Sequence, residues 1–337
     1  MPRAALAALL LAALALPGCA LLGGRLAVTE ENDVFNLGDG LQTDRDYTQG
    51  GAAALTLSAE DTPAWARDAA AAIPLFRKDA EVHLAVLLGQ EIYNPAAIYT
   101  PRFLPGDRPY AGWLYGGLAL QGRALDGDEA RRRDRLDTLE ADLGVVGPAS
   151  LAEPAQNFFH HAFDIEEARG WDHALGNEPA FQAAGERRWR ALRGDLGGGL
   201  GAEAIPLVRA RAGTVHLDGA AGALGRVGWN LPRDFGPMTV DGTGLAKDAP
   251  RPAPWVYLHG GGEARGVVHD LFLEGGTFRR GHSVTATDLV HDATLGLAAG
   301  WGAFSASFSQ TWRSPEFRED RRFHRFSTIL VAWTWWF

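Results

Sequence analysis

Short runs in which apolar residues alternate with small or polar ones recur along most of the chain. In the run 304–309 every second residue is serine, and in the run 139–145 the alternation puts Glu140 and Asp142 on one face. A period of two predicts β-strands, and runs of about ten residues separated by polar loops are typical of transmembrane β-barrels. About twelve runs are found, an even number as bacterial barrels require. They cover residues 25–34, 49–58, 81–93, 110–124, 134–147, 181–192, 195–207, 212–229, 254–266, 284–299, 303–314 and 325–337.

The last run is the most informative one. Ile329, Val331, Trp333 and Trp335 share one face with Phe337, on which the chain ends. A soluble protein rarely exposes such an aromatic stripe. A final strand that ends in phenylalanine resembles the signal read by the outer-membrane assembly machinery. The sequence therefore predicts an all-β fold, with residues 25–337 forming one antiparallel barrel in the bacterial outer membrane.

Composition and the N-terminal segment agree with an exported protein. The net charge of −9 argues against a nucleic-acid partner, which favours a basic surface. Arg3 precedes an apolar run over residues 4–16, so residues 1–20 are expected to be a signal peptide. Two alternatives remain open, namely ordinary cleavage after Ala20 and lipid modification of Cys19. Cys19 is the only cysteine, so no intramolecular disulfide is possible.

Polar residues interrupt the first two strands at the same rim of the predicted barrel. The first strand stops at Asn32-Asp33, and the second starts just after Thr48. Because consecutive strands are antiparallel, these side chains face one another across the connecting loop. Hard oxygen ligands gathered in this way suit calcium. The alternative interpretation is a set of solvated charges at a strand end.

A helix is predicted in the third loop on this rim, over residues 154–169. Pro154 suits the first turn and Gly170 the end. Phe159 and Phe163 lie one turn apart, so the helix is expected to cross the mouth with its phenylalanines against the wall and His160 at the rim. Two adjacent surface histidines are the alternative. Of the other long connections, 35–48 and 94–109 fall on the same rim, whereas the proline-containing connection 230–253 falls on the opposite one, without a predicted role.

Several motifs together resemble the outer-membrane lipid A 3-O-deacylases (LpxR type), over residues 25–337. These motifs are Asn32-Asp33, Asp46-Tyr47-Thr48, the run 106–113, Gln156-Asn157-Phe158-Phe159-His160, Gly170-Trp171-Asp172, Asn177-Glu178-Pro179 and the run 271–278. The resemblance implies a twelve-stranded barrel that hydrolyses the acyl ester at the 3 position of lipid A and depends on calcium. It also implies an active site that faces the extracellular side.

The resemblance also implies roles for individual residues. Asn32, Asp33, Thr48 and His160 match the catalytic positions of the family, and the Gln156-Asn157 register selects His160 rather than His161. Asn32, Asp33 and Thr48, together with Glu166, are the implied calcium ligands. No Gly-x-Ser-x-Gly motif is present, so the expected reaction is attack by a water molecule that a neutral histidine activates.

The substrate in this interpretation is lipopolysaccharide in the outer leaflet. Four cations on the outer loops are expected to bind the phosphates of lipid A: Arg102, Arg108, Arg279 and Arg280. Each of them is otherwise an interfacial cation that reaches toward the lipid headgroups. Two other functions remain open, an outer-membrane phospholipase with a serine–histidine pair and a small porin without enzymatic activity.

Overall fold

The computed structural model describes residues 23–37, 45–124, 134–240, 251–279 and 281–335. The predicted signal peptide, with Cys19, lies outside the described residues, as do Arg280 and Phe337.

Thirteen β-strands are present in the described residues, and twelve of them close into an antiparallel barrel. The strands are β1 (Gly24–Asn32), β2 (Asp46–Leu57), β3 (Glu81–Asn94), β4 (Ala111–Ala124), β5 (Arg135–Val146), β6 (Glu178–Trp189), β7 (Leu192–Gly197), β8 (Leu200–Gly213), β9 (His216–Trp229), β10 (Arg251–Asp270), β11 (Leu289–Gly302), β12 (Phe304–Arg313) and β13 (His324–Trp335). Pairing of β1 with β13 and of β6 with β8 closes the barrel, and β7 pairs with β8 as an additional short strand. The predicted twelve-stranded barrel is confirmed.

The strands alternate between lumen-facing and outward-facing residues, as the period of two predicts. In β1 the side chains of Ala27 and Thr29 are buried, whereas Leu26 and Val28 are partly exposed. Large apolar side chains are exposed on the outer faces of most other strands, including Val86, Leu118, Leu143, Phe181, Val208, Leu258, Leu295 and Val331. This outward apolar surface is the lipid-facing band of a membrane barrel.

The prediction fails in detail only in the glycine-rich middle of the chain. The predicted strand 195–207 falls across the hairpin between β7 and β8, and the predicted turn at 208–211 lies inside β8. The pairing shifts by one residue between Arg188↔Leu207 and Leu192↔Ala204, so β7 continues β6 past a break in register. Glycines without a side chain to pack weaken the alternating pattern there, which explains the misplaced boundaries.

The proline-containing connection after β9 enters the lumen and packs inside it, beside a cavity of about 140 Å³ that Pro237 and Thr239 help to line. Phe235 packs with Leu136 and Ile205. Met238 and Val240 pack with residues of β1, β2, β3, β4 and β13, namely Ala27, Ala52, Ala54, Ala85, Leu87, Ala119, Leu330 and Ala332. A segment can contact that many strands at once only from inside the barrel. Residues 231–240 are called the plug below.

Buried charges hold the plug at the rim opposite Asn32. The guanidinium of Arg226 pairs with the Asp234 carboxylate and donates to the Pro232 carbonyl at 2.9 Å. Arg190 donates to the Asp234 carbonyl at 2.7 Å. At its far end the plug reaches β1, where the Val240 N–H donates to the Glu31 carboxylate at 3.0 Å. The plug, part of the connection for which no role was predicted, therefore obstructs the lumen.

The described ranges contain three α-helices, which lie outside the barrel wall or at its mouth: α1 (Ala64–Ala72), α2 (Ala152–Ala162) and α3 (Leu271–Glu274). In α3 the side chains of Leu271, Phe272 and Leu273 are buried, and Phe272 stacks on Tyr93 of β3 at 4.2 Å between ring centroids. Among the described residues, no helix has the length and apolarity required to cross a bilayer.

Candidate active site

The predicted polar residues meet where β1 ends and β2 begins; this end of the barrel is called the site rim. The β1–β2 ladder ends at the pair Asn32 with Gln49. Asp33 follows β1 in a single 3-10 turn, and Thr48 precedes Gln49 in β2, so both residues lie at the rim end of this ladder. Asn32, Asp33 and Thr48 are all buried. That these three residues form one site stays a prediction.

Thr48 is the extra residue of a β-bulge. Toward β3, Tyr47 pairs with Tyr93 and Gln49 with Ile92, so Thr48 has no partner of its own in that ladder. A bulge bends the strand and re-aims a side chain, and bulges are common beside active sites. Just before it, Asp46 has a left-handed backbone with φ of 64°, a strained conformation for a residue with a side chain.

Helix α2 packs against the outer face of the barrel wall. Gln90, Ile92 and Gly112 occupy outward-facing positions, and α2 with the turn before it covers them. The Gln90 side-chain amide donates to the Ser150 carbonyl at 2.6 Å, and Ile92 packs with Ala152. The expectation that the helix crosses the mouth is therefore corrected, and its length is corrected from 154–169 to Ala152–Ala162.

The helix crosses four adjacent strands. Its first residue, Ala152, lies against Gly112 of β4, where an added Cβ would come within 2.2 Å of the Ala152 Cβ. Just after its last residue, the Phe163 ring meets Phe35, which follows β1, with 5.8 Å between centroids. The rise from residue 152 to 163 is about 16 Å, and three strand spacings are about 14 Å. His160, about 12 Å along this path, therefore lies over β2 and β1, where Thr48 and Asp33 are.

The buried stripe of α2 differs from the predicted one. Ala152, Gln156 and His160 are buried at intervals of one turn, whereas the Phe163 side chain is 47% exposed. The phenylalanines extend along the edge of the helix, where Phe159 stacks on Phe163.

His160 and His161 have opposite environments. The Nδ1 of His160 lies 2.5 Å from the Glu166 carbonyl oxygen, and the side chain is 2% exposed. A carbonyl oxygen only accepts, so Nδ1 carries the proton and the ring lone pair lies on Nε2. The His161 side chain is 72% exposed and pairs with Glu167 at 2.7 Å. Of the two rings, only that of His160 is oriented and enclosed.

The segment that follows α2 folds back and fixes it. The Trp171 indole donates to the Gln156 side-chain oxygen at 2.9 Å, and the Ala168 N–H donates to the Asn157 side chain at 3.2 Å. The residues that flank the helix, Leu151 and Asp164, have φ of 59° and 58°. Left-handed backbone at both ends of α2 raises the conformational free energy, and the surrounding contacts must offset this strain. Such strain is common where a fold positions a functional group.

The buried oxygens at the site rim fit a hard cation. Asp33 supplies a buried carboxylate, and the Thr48 hydroxyl has no hydrogen-bond partner among the residues that the structure describes. The Asn32 side-chain oxygen accepts from the Val34 N–H at 2.8 Å, which orients it. Within the described ranges no group of three or more His, Cys, Asp or Glu residues is placed to hold a metal ion. The set is thus one of mainly neutral oxygens, the type of ligand that calcium prefers, whereas zinc is usually bound by nitrogen and sulfur.

Glu166 is positioned differently from these residues. Its side chain is 54% exposed, and its carboxylate pairs with Arg169 at 3.0 Å. Its contribution to the site is the backbone carbonyl that accepts from His160.

Asn94 is a site-rim residue that the sequence did not reveal. It ends β3 opposite Asp46, and its side chain is fully buried. The only signal in the sequence is its place before Pro95, at the end of the strand beside β2.

The family model for "Outer membrane protein LpxR" matches residues 5–335. The chain belongs to the LpxR family. Its description places this family in the outer membrane, in agreement with the lipid-facing band.

Solved structures agree with this assignment. The fold is similar to that of LpxR from Salmonella typhimurium, with a TM-score of 0.72 at 19% identity, over 92% of this chain and 100% of that one. The likeness to the β-domain of the Bordetella autotransporter BrkA is much weaker, with a TM-score of 0.43 at 11% identity, over 93% of this chain and 100% of that one. No curated protein matches in sequence.

In this LpxR-family chain the predicted phosphate-binding cations fall into two groups. Arg102 and Arg279 are exposed on their loops. Arg108 is 1% exposed, because its guanidinium pairs with Glu316 at 3.1 Å and lies over the Tyr93 ring. Arg108 thus stabilises the wall behind the site, and its charge does not reach the surface.

Glu316 is the centre of this buried cluster. Arg108, Arg265 and Arg313 all lie within 3.3 Å of its carboxylate. Burial alone would raise its pKa, but the charges of Arg313, Arg108 and Arg265 outweigh burial and lower the pKa to about 2. The cluster joins β10 and β12 to the loop before β4 and the loop after β12, all of which lie near Tyr47 and Asp46. It therefore supports the bulge from the lumen side.

Proposed function

We propose that this protein is a calcium-dependent esterase of the outer membrane that removes the 3-O-linked acyl chain from lipid A. One observation carries the proposal: α2 packs on the outer face of the barrel wall, and its buried stripe carries His160 toward the rim ends of β1 and β2. A lipid in the surrounding leaflet reaches such a site from the side, without entering the lumen. Lipid A occupies the outer leaflet, so the site rim is assigned to the extracellular side.

His160 acts as the general base. Its Nδ1 proton is held by the Glu166 carbonyl, so Nε2 is the atom that accepts a proton from the attacking water. The ring is enclosed and its Nδ1 is hydrogen-bonded, so Nε2 keeps one orientation. The side chain therefore loses no rotamer freedom during the reaction. The proton then passes from Nε2 to the sugar oxygen as the ester bond breaks.

Asp33, Asn32 and Thr48 would hold calcium. The bound ion would polarise the ester carbonyl and stabilise the negative charge that develops on its oxygen. Asp33 supplies negative charge, and Asn32 and Thr48 supply neutral oxygens from adjoining strand ends. In addition, the helix α2 and the aromatic side chains at its edge exclude bulk water, which strengthens electrostatic interactions within the site.

The exposed cations bind the polar part of the substrate in this proposal. Arg102 and Arg279 lie on loops of the same rim, and guanidinium groups bind phosphate oxygens well. The acyl chains would remain against the apolar outer wall, on which Val86 and Leu118 are exposed. The contents of the lumen favour this enzyme over a porin, because the plug obstructs the lumen from one side and Phe272 with Tyr93 obstructs it from the other.

The proposal is tested with purified protein in detergent and lipid A as the substrate. The released fatty acid is measured by mass spectrometry in calcium, in chelator, and after calcium is restored. Release that stops in chelator and returns with calcium supports the mechanism. Release that is unchanged in chelator rules out the role of calcium, and release from phospholipid but not from lipid A identifies a phospholipase.

A further inference from the structure

Asn94 is a buried amide whose polar atoms have no hydrogen-bond partner in the described part of the chain. Its side chain is 0% exposed. Among the residues that the structure describes, none is hydrogen-bonded to its Oδ1 or its Nδ2. Burying an amide without partners destabilises a fold, and most buried polar groups are paired. A fully buried asparagine of this kind has both of its polar side-chain atoms available to a ligand.

The topology places Asn94 beside Thr48 and Asp33. Asn94 ends β3 and pairs with Asp46, two residues before Thr48 in β2. On the other side of β2, Asp33 directly follows Asn32, which ends the β1–β2 ladder opposite Gln49. The three residues thus lie at the rim ends of three adjacent strands, β3, β2 and β1.

The outward face of β3 leads to the same place. Residues two apart in a strand share a face, so Asn94 continues the row of Gln90 and Ile92. That row lies beneath α2, through the contacts of Gln90 with Ser150 and of Ile92 with Ala152. Asn94 therefore lies on the wall that α2 covers, on the side of His160.

The proposed calcium site has room for one more ligand. Calcium binds six to eight oxygen ligands. The side chains of Asp33, Asn32 and Thr48 supply fewer ligands than that. The Glu166 carboxylate pairs with Arg169 and is more than half exposed. An amide oxygen is a common calcium ligand, and an unpartnered amide on the adjoining strand meets this need.

We propose that the side-chain oxygen of Asn94 is a ligand of the calcium ion, together with Asp33 and Thr48. This assignment rests on the proposed function for the identity of the ion. With Asp33 as the only carboxylate, the site has a low ligand charge, and its calcium affinity is correspondingly weak.

The test measures calcium binding directly, without substrate, in the purified full chain in detergent. Terbium luminescence and its displacement by calcium give the dissociation constant. Asn94→Ala is expected to weaken calcium binding by about tenfold or more, since about 1.4 kcal/mol corresponds to that factor. Asn94→Asp keeps an oxygen ligand and adds charge, so it is expected to bind calcium at least as tightly as the wild type.

Asn177→Ala is the matched control. Asn177 lies on a loop of the same rim, but its side-chain oxygen accepts from the Ala149 N–H at 2.7 Å. This variant is expected to keep the wild-type dissociation constant. Asn94→Ala with an unchanged calcium affinity would overturn the assignment, and so would an equal loss of affinity in Asn177→Ala.

A second measurement separates ligation from a structural role. In chelator, Asn94→Ala is expected to unfold at the wild-type temperature or above it, because it removes a buried amide without partners. The rise in unfolding temperature on adding calcium is expected to shrink in this variant. A large loss of stability in chelator would show a structural role and refute ligation. Wild-type protein that binds calcium through Asn94 but leaves lipid A intact would refute the proposed function alone.

Discussion

The Nδ1 atom of His160 lies 2.5 Å from the backbone carbonyl oxygen of Glu166. This contact joins the buried stripe of α2 to the segment that folds back after it. It sets the tautomer of the ring through a backbone group, so the orientation of His160 depends on the conformation of the return segment. The left-handed Asp164, two residues before Glu166, is part of that conformation.

His160→Ala is expected to lower turnover of lipid A by about two to four orders of magnitude, the usual loss for a general base. His161→Ala is expected to stay near the wild-type rate, because His161 is exposed and pairs only with Glu167. The measurement is release of the 3-linked acyl chain in detergent. An inactive His161→Ala beside an active His160→Ala would shift the assignment by one residue.

Gly112→Ala is expected to displace α2 from the wall. An added Cβ at Gly112 would lie 2.2 Å from the Ala152 Cβ and 2.3 Å from the Ser150 hydroxyl oxygen. Activity should fall at least tenfold, while heat-modifiable migration in gels shows an intact barrel. Gly116→Ala, on the same face of β4, is the control, since its added Cβ would be 3.7 Å from the nearest atom. Equal activity of the two variants would contradict the placement of α2.

Asp234→Ala is expected to destabilise the protein by about 1.5–3 kcal/mol, because it removes one of the two buried carboxylates that pair with Arg226, the other being that of Glu203. Loosening the plug should also raise ion conductance in planar bilayers above that of the wild type. Asp195→Ala, in the exposed β7–β8 hairpin, is the control. A stable and non-conducting Asp234→Ala variant would show that the plug is held by other contacts.

Glu316 is expected to make stability depend on pH in the acidic range. Its folded-state pKa of about 2 lies below the ordinary value of 4.5, so its contribution is full above about pH 4.5 and is lost as the pH falls toward 2. At neutral pH this contribution is at most about 3 kcal/mol. Glu316→Gln should thus unfold at a lower temperature than the wild type at pH 7. The difference in unfolding temperature between Glu316→Gln and the wild type should become smaller from pH 5 to pH 2. A difference that stays constant over this range would contradict the lowered pKa of Glu316.

The sequence predicted most strands correctly because their residues face lipid on one side and a packed lumen on the other. That contrast produces the period of two seen in β1, β11 and β12. The period of two weakens around Gly194–Gly201, because a glycine has no side chain that is apolar or polar. The predicted strand boundaries were wrong there. The plug was missed because Phe235, Met238 and Val240 lie in a loop without periodicity, and only contacts with distant strands show that they are buried.

At the candidate site, short motifs predicted residues that share one rim of the barrel, but not the face of the wall that α2 covers. Gln90 and Ile92 lie in an ordinary strand pattern, so nothing local shows that a segment 60 residues later in the chain covers them. Asn94 carried only the weak signal of its place before Pro95. The position of Glu166 was also not predictable, because its motif match could not distinguish its backbone carbonyl from its carboxylate.

Lipid A from cells that produce the wild type or His160→Ala tests the central claim most directly. Both proteins are first shown to be present and folded in the outer membrane, and lipid A is then examined by mass spectrometry. The account predicts that wild-type cells contain lipid A lighter by one 3-linked acyl chain, and that His160→Ala cells contain lipid A of full mass. Lipid A of unchanged mass in wild-type cells, or of the same reduced mass in both, would contradict it.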